Sequence, residues 1–79
     1  MNEIEVKVLT VLAETINVSR DKVDLDARMN VTEGWDSLAT VRFIVALEYA
    51  FDEDISLDAA EKMISAQFAV DYFTKVLEA

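Results

Sequence analysis

The chain of 79 residues is long enough for one small domain over residues 1–79, and 53% of its residues are hydrophobic, with one glycine, no proline and no cysteine. This composition excludes a disordered chain, a collagen-like fibre and a disulfide framework, and it favours helices joined by few sharp turns. Sixteen acidic residues against seven basic ones give a net charge of −9, which opposes binding to nucleic acid and to anionic membranes.

The first predicted element is an amphipathic helix over residues 3–16, because apolar side chains recur on one of its faces. These side chains belong to Ile4, Val8, Val11 and Leu12, with Ile16 at the edge. Residues 17–36 show no helical or strand period, and a loop this long in a small domain tends to be functional. Its scattered apolar residues predict that it is held across a helical bundle, and Gly34 predicts a turn with positive φ.

The second predicted helix runs from about Ser37 to Phe51, with Asp36 as its N-cap. A short third helix is predicted over residues 59–64, and Ser65 is predicted to cap a fourth. Two residues fit the start of the third helix, Ser56 and Asp58. Because strand patterning is absent, the predicted fold is all-α: a small antiparallel four-helix bundle of three longer helices and one short helix, with a long loop between the first two.

The second helix carries two apolar faces. The face expected to point into the core is formed by Phe43, Ile44, Leu47 and Phe51. The other face holds Ser37, Leu38, Val41, Val45 and Tyr49, flanked by Arg42 and Glu48. An exposed apolar face with a charged rim is typical of a protein-binding surface. The alternative is that this helix is central in the bundle and buried on every side.

Ser37, at the start of the second helix, lacks the partners that would make it a nucleophile. The chain contains no histidine and no cysteine, so Ser–His and Cys–His nucleophilic sites and zinc sites are excluded. Serine, threonine, tyrosine and acidic residues remain, but they form no organised set of catalytic groups, so we predict no enzymatic activity. The acidic loop Asp52–Asp54 does not have the ligand spacing of an EF-hand, and we predict no metal site. A hydroxyl without a base points to a group that another protein modifies, and a helix N-terminus favours an attached phosphodiester. The alternative is that Asp36 and Ser37 only begin the helix.

Several short motifs follow one another along the chain, and in this order and spacing they are specific as a set. They are Asp36-Ser37-Leu38, Ala46-Leu47-Glu48 with Phe51-Asp52 and Ile55, Ala60-Glu61-Lys62-Met63, and residues 67–72. Together they resemble the acyl carrier protein family over nearly the whole chain. The resemblance implies that Ser37 is esterified by 4′-phosphopantetheine, transferred from coenzyme A by a phosphopantetheinyl transferase, and that Asp36 and Leu38 flank this covalent cofactor.

The resemblance further implies a freestanding, non-catalytic carrier whose cofactor thiol holds acyl groups as thioesters. Its other partners would be acyl-loading, condensing and acyl-transferring enzymes with basic docking surfaces, in fatty acid, polyketide or related specialised biosynthesis. We expect a monomer without membrane insertion, since no apolar run approaches the roughly 20 residues of a membrane span. A cytoplasmic location is the expectation for a chain without cysteine. The net charge either steers such partners or only keeps a small apolar domain soluble. The rival interpretation is a helical adaptor that binds partners through the second helix and leaves Ser37 unmodified.

Two further groups of residues have expected roles. The partner-docking surface is expected to include Leu38, Val41, Arg42, Val45, Glu48, Tyr49, Asp58 and Glu61. The residues expected to line an acyl-chain pocket are Phe43, Leu47, Ile55 and Met63. Small bundles open locally at low cost, so their helices could part to admit an acyl chain. The alternative is that these four residues only form a tight core.

The second helix also departs from the pattern of carriers in bacterial fatty acid synthesis. Ala39, Arg42 and the pair Tyr49-Ala50 stand where those carriers usually have acidic residues. In the preceding loop, Trp35 replaces a small residue and Met29 replaces a phenylalanine. We interpret these departures as adaptation to a dedicated set of partners.

Overall fold

The computed structural model describes residues 2–78, and the regular structure within that range is helical apart from one isolated β-bridge. The elements are α1 (Glu3–Thr15), a short 3-10 turn (Arg20–Lys22), α2 (Ser37–Phe51), α3 (Leu57–Glu61) and α4 (Ala66–Glu78). The predicted all-α architecture of three longer helices and one short helix is confirmed, as is the long loop between α1 and α2. No helix among residues 2–78 has both the length and the apolarity needed to cross a bilayer.

Each helix is preceded by a residue whose side-chain oxygen accepts a hydrogen bond from the backbone N–H three residues further on. Such a cap satisfies an amide that has no partner within the helix. The pairs, at 2.8 to 3.1 Å, are Glu5 to Asn2, Ala39 to Asp36, Ala59 to Ser56 and Phe68 to Ser65. The predicted caps Asp36 and Ser65 are confirmed, and of the two candidates for α3 the cap is Ser56.

α3 begins and ends earlier than the sequence predicts. The predicted helix covers residues 59–64, whereas the observed one covers Leu57–Glu61. The reason for the early end is tertiary, because the carbonyl of Ile64 accepts a 2.9 Å hydrogen bond from the N–H of Met29 in the long loop. The backbone beyond α3 therefore pairs with the loop instead of adding another helical turn.

The loop between α1 and α2 is held against the bundle, as predicted. Ala27 is buried, and its carbonyl accepts a 2.9 Å hydrogen bond from the N–H of Ala66 at the start of α4. Val31 is an exception among the apolar residues of the loop, with 73% of its surface exposed. Gly34 has a φ of +87°, which confirms the predicted turn, and a Cβ added there would lie 3.2 Å from the carbonyl oxygen of Ile16.

The hydrophobic core forms where α1 contacts both α2 and α4. The largest fully buried side chains are Trp35, Phe43, Phe73, Leu9, Leu12, Leu47, Met63 and Val8. At the end of α2, Phe51 stacks on Phe73 of α4 with the ring centroids 4.0 Å apart. The predicted inward face of α2 is confirmed, since Phe43 and Leu47 are buried and Ile44 and Phe51 pack against the core.

Candidate functional site

Ser37 lies at the exposed start of α2. It is the first residue of the helix, and Asp36 before it is extended, with φ −110° and ψ −172°. The Asp36 carboxylate accepts a 2.8 Å hydrogen bond from the N–H of Ala39. The Thr40 N–H donates to the Asp36 carbonyl, whereas the Ser37 and Leu38 amides have no partner within the helix. This end of α2 therefore favours an anionic group on the Ser37 hydroxyl.

Trp35, the residue before the cap, lies in the core. Its side chain is only 1% exposed. The indole N–H donates a 2.8 Å hydrogen bond to Oγ1 of Thr40, and the ring meets Phe43 edge to face with centroids 5.4 Å apart. The sequence interpretation noted Trp35 only as a departure from the family and missed this contact. The available signal was a lone tryptophan five residues before a threonine in the first turn of a helix.

The backbone around Trp35 is tied on both sides. Its N–H donates to the carbonyl of Thr32 at 3.1 Å, and its own carbonyl accepts from the N–H of Asn30 at 2.7 Å. On the helix side, the Thr40 hydroxyl donates to the carbonyl of Asp36 at 3.1 Å. The chain therefore enters α2 through a hydrogen-bonded corner rather than through a loose loop.

The face of α2 opposite the core is exposed and apolar, which shows that the alternative of a helix buried on every side is wrong. The exposed fractions are 59% for Leu38, 59% for Val41, 60% for Val45 and 92% for Tyr49, and we call these four residues the α2 stripe. An open groove of about 470 Å³ borders the α2 stripe between α1 and α2, and Val11, Arg42 and Ala46 contribute to its walls. An apolar surface of this kind suits contact with another protein.

The charges of the predicted docking surface are unevenly placed. α2 contains two charged residues, Arg42 and Glu48, and Arg42 is exposed. Glu48 is half-buried, and its carboxylate accepts a 2.8 Å hydrogen bond from the N–H of Ile55. The predicted acidic members Asp58 and Glu61 are exposed on α3. The negative charge of this set therefore comes mainly from α3, where Asp58 also forms an exposed 3.5 Å ion pair with Lys62. The α2 stripe has the positive charge of Arg42 beside it.

The four residues predicted to line an acyl-chain pocket meet in the core. Phe43, Leu47 and Met63 are fully buried, and the half-buried Ile55 packs against the same cluster. Protein cores are closely packed, so an acyl chain would enter among these residues only if the helices moved apart.

Two comparisons with known proteins show the family of the chain. A family model described as "Phosphopantetheine attachment site" matches residues 6–66. An acyl carrier protein from Guillardia theta is 40% identical over 81 residues, an alignment that covers the whole of both chains. The chain belongs to the acyl carrier protein family. The resemblance seen in the sequence motifs is confirmed.

Membership in the acyl carrier protein family defines the cofactor and the kind of activity. The cofactor is 4′-phosphopantetheine, because the matching model is the attachment site of that group. Acyl carrier proteins act as carriers, and they present cargo to other proteins rather than catalysing its conversion. The start of α2 fits the cofactor, since Ser37 offers an exposed hydroxyl and the first helical turn offers free amides.

Proposed function

We propose that this acyl carrier protein bears 4′-phosphopantetheine on the Ser37 hydroxyl and delivers acyl groups to partner enzymes. The observation that carries the proposal is the exposure of Ser37 at the first residue of α2, within the segment 6–66 that matches the attachment-site family. When bound, the cofactor supplies a terminal thiol that holds an acyl group as a thioester. The partners supply the catalytic groups, in keeping with a chain that contains neither histidine nor cysteine.

Residues at the start of α2 hold the cofactor in place. Ser37 provides the oxygen of the phosphoester, and Asp36 fixes the start of the helix by accepting from the N–H of Ala39. The free amides of Ser37 and Leu38 would favour the phosphate, and the helix dipole stabilises a negative charge at an exposed N-terminus by about 0.3 to 1 kcal/mol. The arm therefore leaves the protein at the end of the α2 stripe.

Partners are proposed to dock on the α2 stripe beside the cofactor. The phosphopantetheinyl transferase would dock first, followed by acyl-loading, condensing and acyl-transferring enzymes. The exposed apolar side chains supply contact area, while Asp58 and Glu61 on α3 attract basic surfaces and raise encounter rates. Opposite Arg42, the partner should present a carboxylate, because a basic side chain at that position would be repelled.

The cargo belongs, on this proposal, to fatty acid, polyketide or related specialised biosynthesis. The presence of Arg42 supports partners that are adapted to this chain. Asp58 and Glu61 would attract a basic partner surface, but the exposed cation of Arg42 beside the α2 stripe would repel a surface that is basic throughout.

The proposal is tested by incubating the protein with coenzyme A and a broad-specificity phosphopantetheinyl transferase and measuring the intact mass. We expect a single phosphopantetheine increment in the wild type and none in Ser37→Ala. Ser19→Ala is the matched control, because Ser19 is exposed and makes no capping hydrogen bond, and this variant should be loaded as the wild type is. A wild type that stays unmodified would contradict the proposal and favour an unmodified helical adaptor.

A further inference from the structure

We infer that Trp35 and Thr40 form a positioning pair that fixes the backbone from which Ser37 is presented to the transferase. The inference rests on the proposed function, in which Ser37 is the attachment residue. It assigns a role to Trp35, a residue that adjoins the motif and yet is buried.

The first part of the argument is the position of Thr40 in a chain of hydrogen bonds. Its hydroxyl accepts from the Trp35 indole N–H at 2.8 Å and donates to the Asp36 carbonyl at 3.1 Å. The same Asp36 carbonyl accepts from the Thr40 backbone N–H at 3.0 Å. One hydroxyl thus joins the residue before the cap to the cap itself, and Thr40 is only 7% exposed, so water does not compete freely for these bonds.

The second part is the anchoring of Trp35 on its loop side. The Trp35 backbone bonds to Asn30 and Thr32, at 2.7 and 3.1 Å. Its ring packs edge to face on Phe43, one of the fully buried residues of α2. A movement of Trp35 would therefore disturb the loop, the core and the helix start together. Ser37 lies two residues after Trp35 and three residues before Thr40, so its Cα has little freedom relative to the axis of α2.

The third part of the argument is that the transfer reaction needs a well-oriented serine hydroxyl. In the transfer, a bond forms between the Ser37 oxygen and the phosphorus of the pantetheine phosphate, and the pyrophosphate bond of coenzyme A breaks. The nucleotide 3′,5′-adenosine diphosphate leaves, and the hydroxyl proton passes to the transferase or to solvent. Attack of this kind depends on the orientation of the nucleophile, and small displacements reduce the rate steeply.

Burial also distinguishes positioning from recognition. The indole is too deep in the protein to touch a docked enzyme, whereas Ser37 and Leu38 are exposed. Loss of the pair should therefore lower kcat for transfer and leave KM for the carrier within about twofold, because an interaction that orients the reacting group acts in the transition state.

The test compares Thr40→Val with Thr40→Ser as substrates of the broad-specificity transferase. Valine keeps the shape of the side chain and removes the hydroxyl, while serine keeps the hydroxyl. We expect kcat to fall about tenfold in Thr40→Val and to recover in Thr40→Ser. Deuterium uptake at the Ala39 and Thr40 amides, which donate to the Asp36 carboxylate and carbonyl, should rise in Thr40→Val before any loading takes place. Trp35→Phe, which removes the indole N–H and keeps an aromatic ring, should change both quantities in the same direction.

A matched control separates positioning from a general loss of stability. Val70→Ala removes buried side-chain atoms from α4, outside the hydrogen-bonded corner, and should destabilise the protein without changing kcat. Equal kcat values for Thr40→Val and the wild type would overturn the inference, as would an equal fall of kcat in Val70→Ala. Failure of the proposed function gives a different result, in which the wild type itself is not loaded.

Discussion

The carboxylate of Glu48 accepts a hydrogen bond from the backbone N–H of Ile55 at 2.8 Å, across seven residues of chain. This bond ties the last turns of α2 to the segment that leads into α3. It also means that Glu48, which the sequence suggests as a docking residue, has a structural use within the protein.

Glu48→Ala should lower the free energy of unfolding by about 1 to 2 kcal/mol, because the Ile55 amide loses a charged acceptor. Glu48→Gln should lose less, since its amide oxygen is still an acceptor. The measurement is the urea concentration at the midpoint of unfolding. The midpoints are compared between variants whose free energy of unfolding falls with urea at the same slope. The control is Asp54→Ala, because Asp54 is an exposed acidic residue of the same segment. An equal loss of unfolding free energy in Asp54→Ala and Glu48→Ala would contradict the structural use of Glu48.

Gly34→Ala should destabilise the protein by about 1 to 2 kcal/mol from the left-handed backbone alone. The close approach of a new Cβ to the Ile16 carbonyl oxygen, at 3.2 Å, adds to that cost. Thermal unfolding followed by circular dichroism measures the effect, and Glu33→Ala at the neighbouring exposed position should leave the midpoint nearly unchanged. Equal midpoints for Gly34→Ala and the wild type would show that this turn tolerates a side chain.

Val45→Glu should reduce the efficiency of loading by the transferase about tenfold without unfolding the domain, since a charge would replace apolar contact at the centre of the α2 stripe. Thr10→Glu on α1 adds the same charge at an exposed position and should load normally. Initial rates of loading at limiting carrier concentration give the comparison. Unchanged loading of Val45→Glu would place the docking surface elsewhere.

Attachment of a medium-length acyl chain should shift the methyl resonances of Leu47, Ile55 and Met63, if these core residues part to admit the cargo. The matched control is the acetylated protein, whose cargo is too short to reach the core and whose methyl spectrum should equal that of the unacylated holo form. Identical spectra for the long and short cargo would instead show that the residues form only a tight core.

Sequence reasoning succeeded where the determining signals are local. The caps Asp36 and Ser65, the positive φ of Gly34 and the inward face of α2 follow from residue type and helical spacing. The end of α3 could not be predicted in this way. It depends on a hydrogen bond from the N–H of Met29 to the carbonyl of Ile64, and these residues are far apart in the sequence.

The candidate site shows the same division. The exposure of Ser37 could be predicted from its place at the start of a helix. The burial of Trp35 and its bond to Thr40 could not, since a tryptophan next to a functional motif fits a binding role as well as a core role until the packing is known. The hydrogen bond between Glu48 and the N–H of Ile55 could not be predicted either, because an acidic side chain on a helix surface is ordinarily solvated.

The measurement that tests the central claim most directly is fragmentation of the loaded wild-type protein by tandem mass spectrometry, which locates the modified residue. We predict that every fragment carrying phosphopantetheine contains Ser37, and that fragments ending before Ser37 or beginning after it carry none. Localisation of the group to another hydroxyl, such as Ser19 or Ser56, would contradict the assignment of the exposed serine of α2 as the attachment residue.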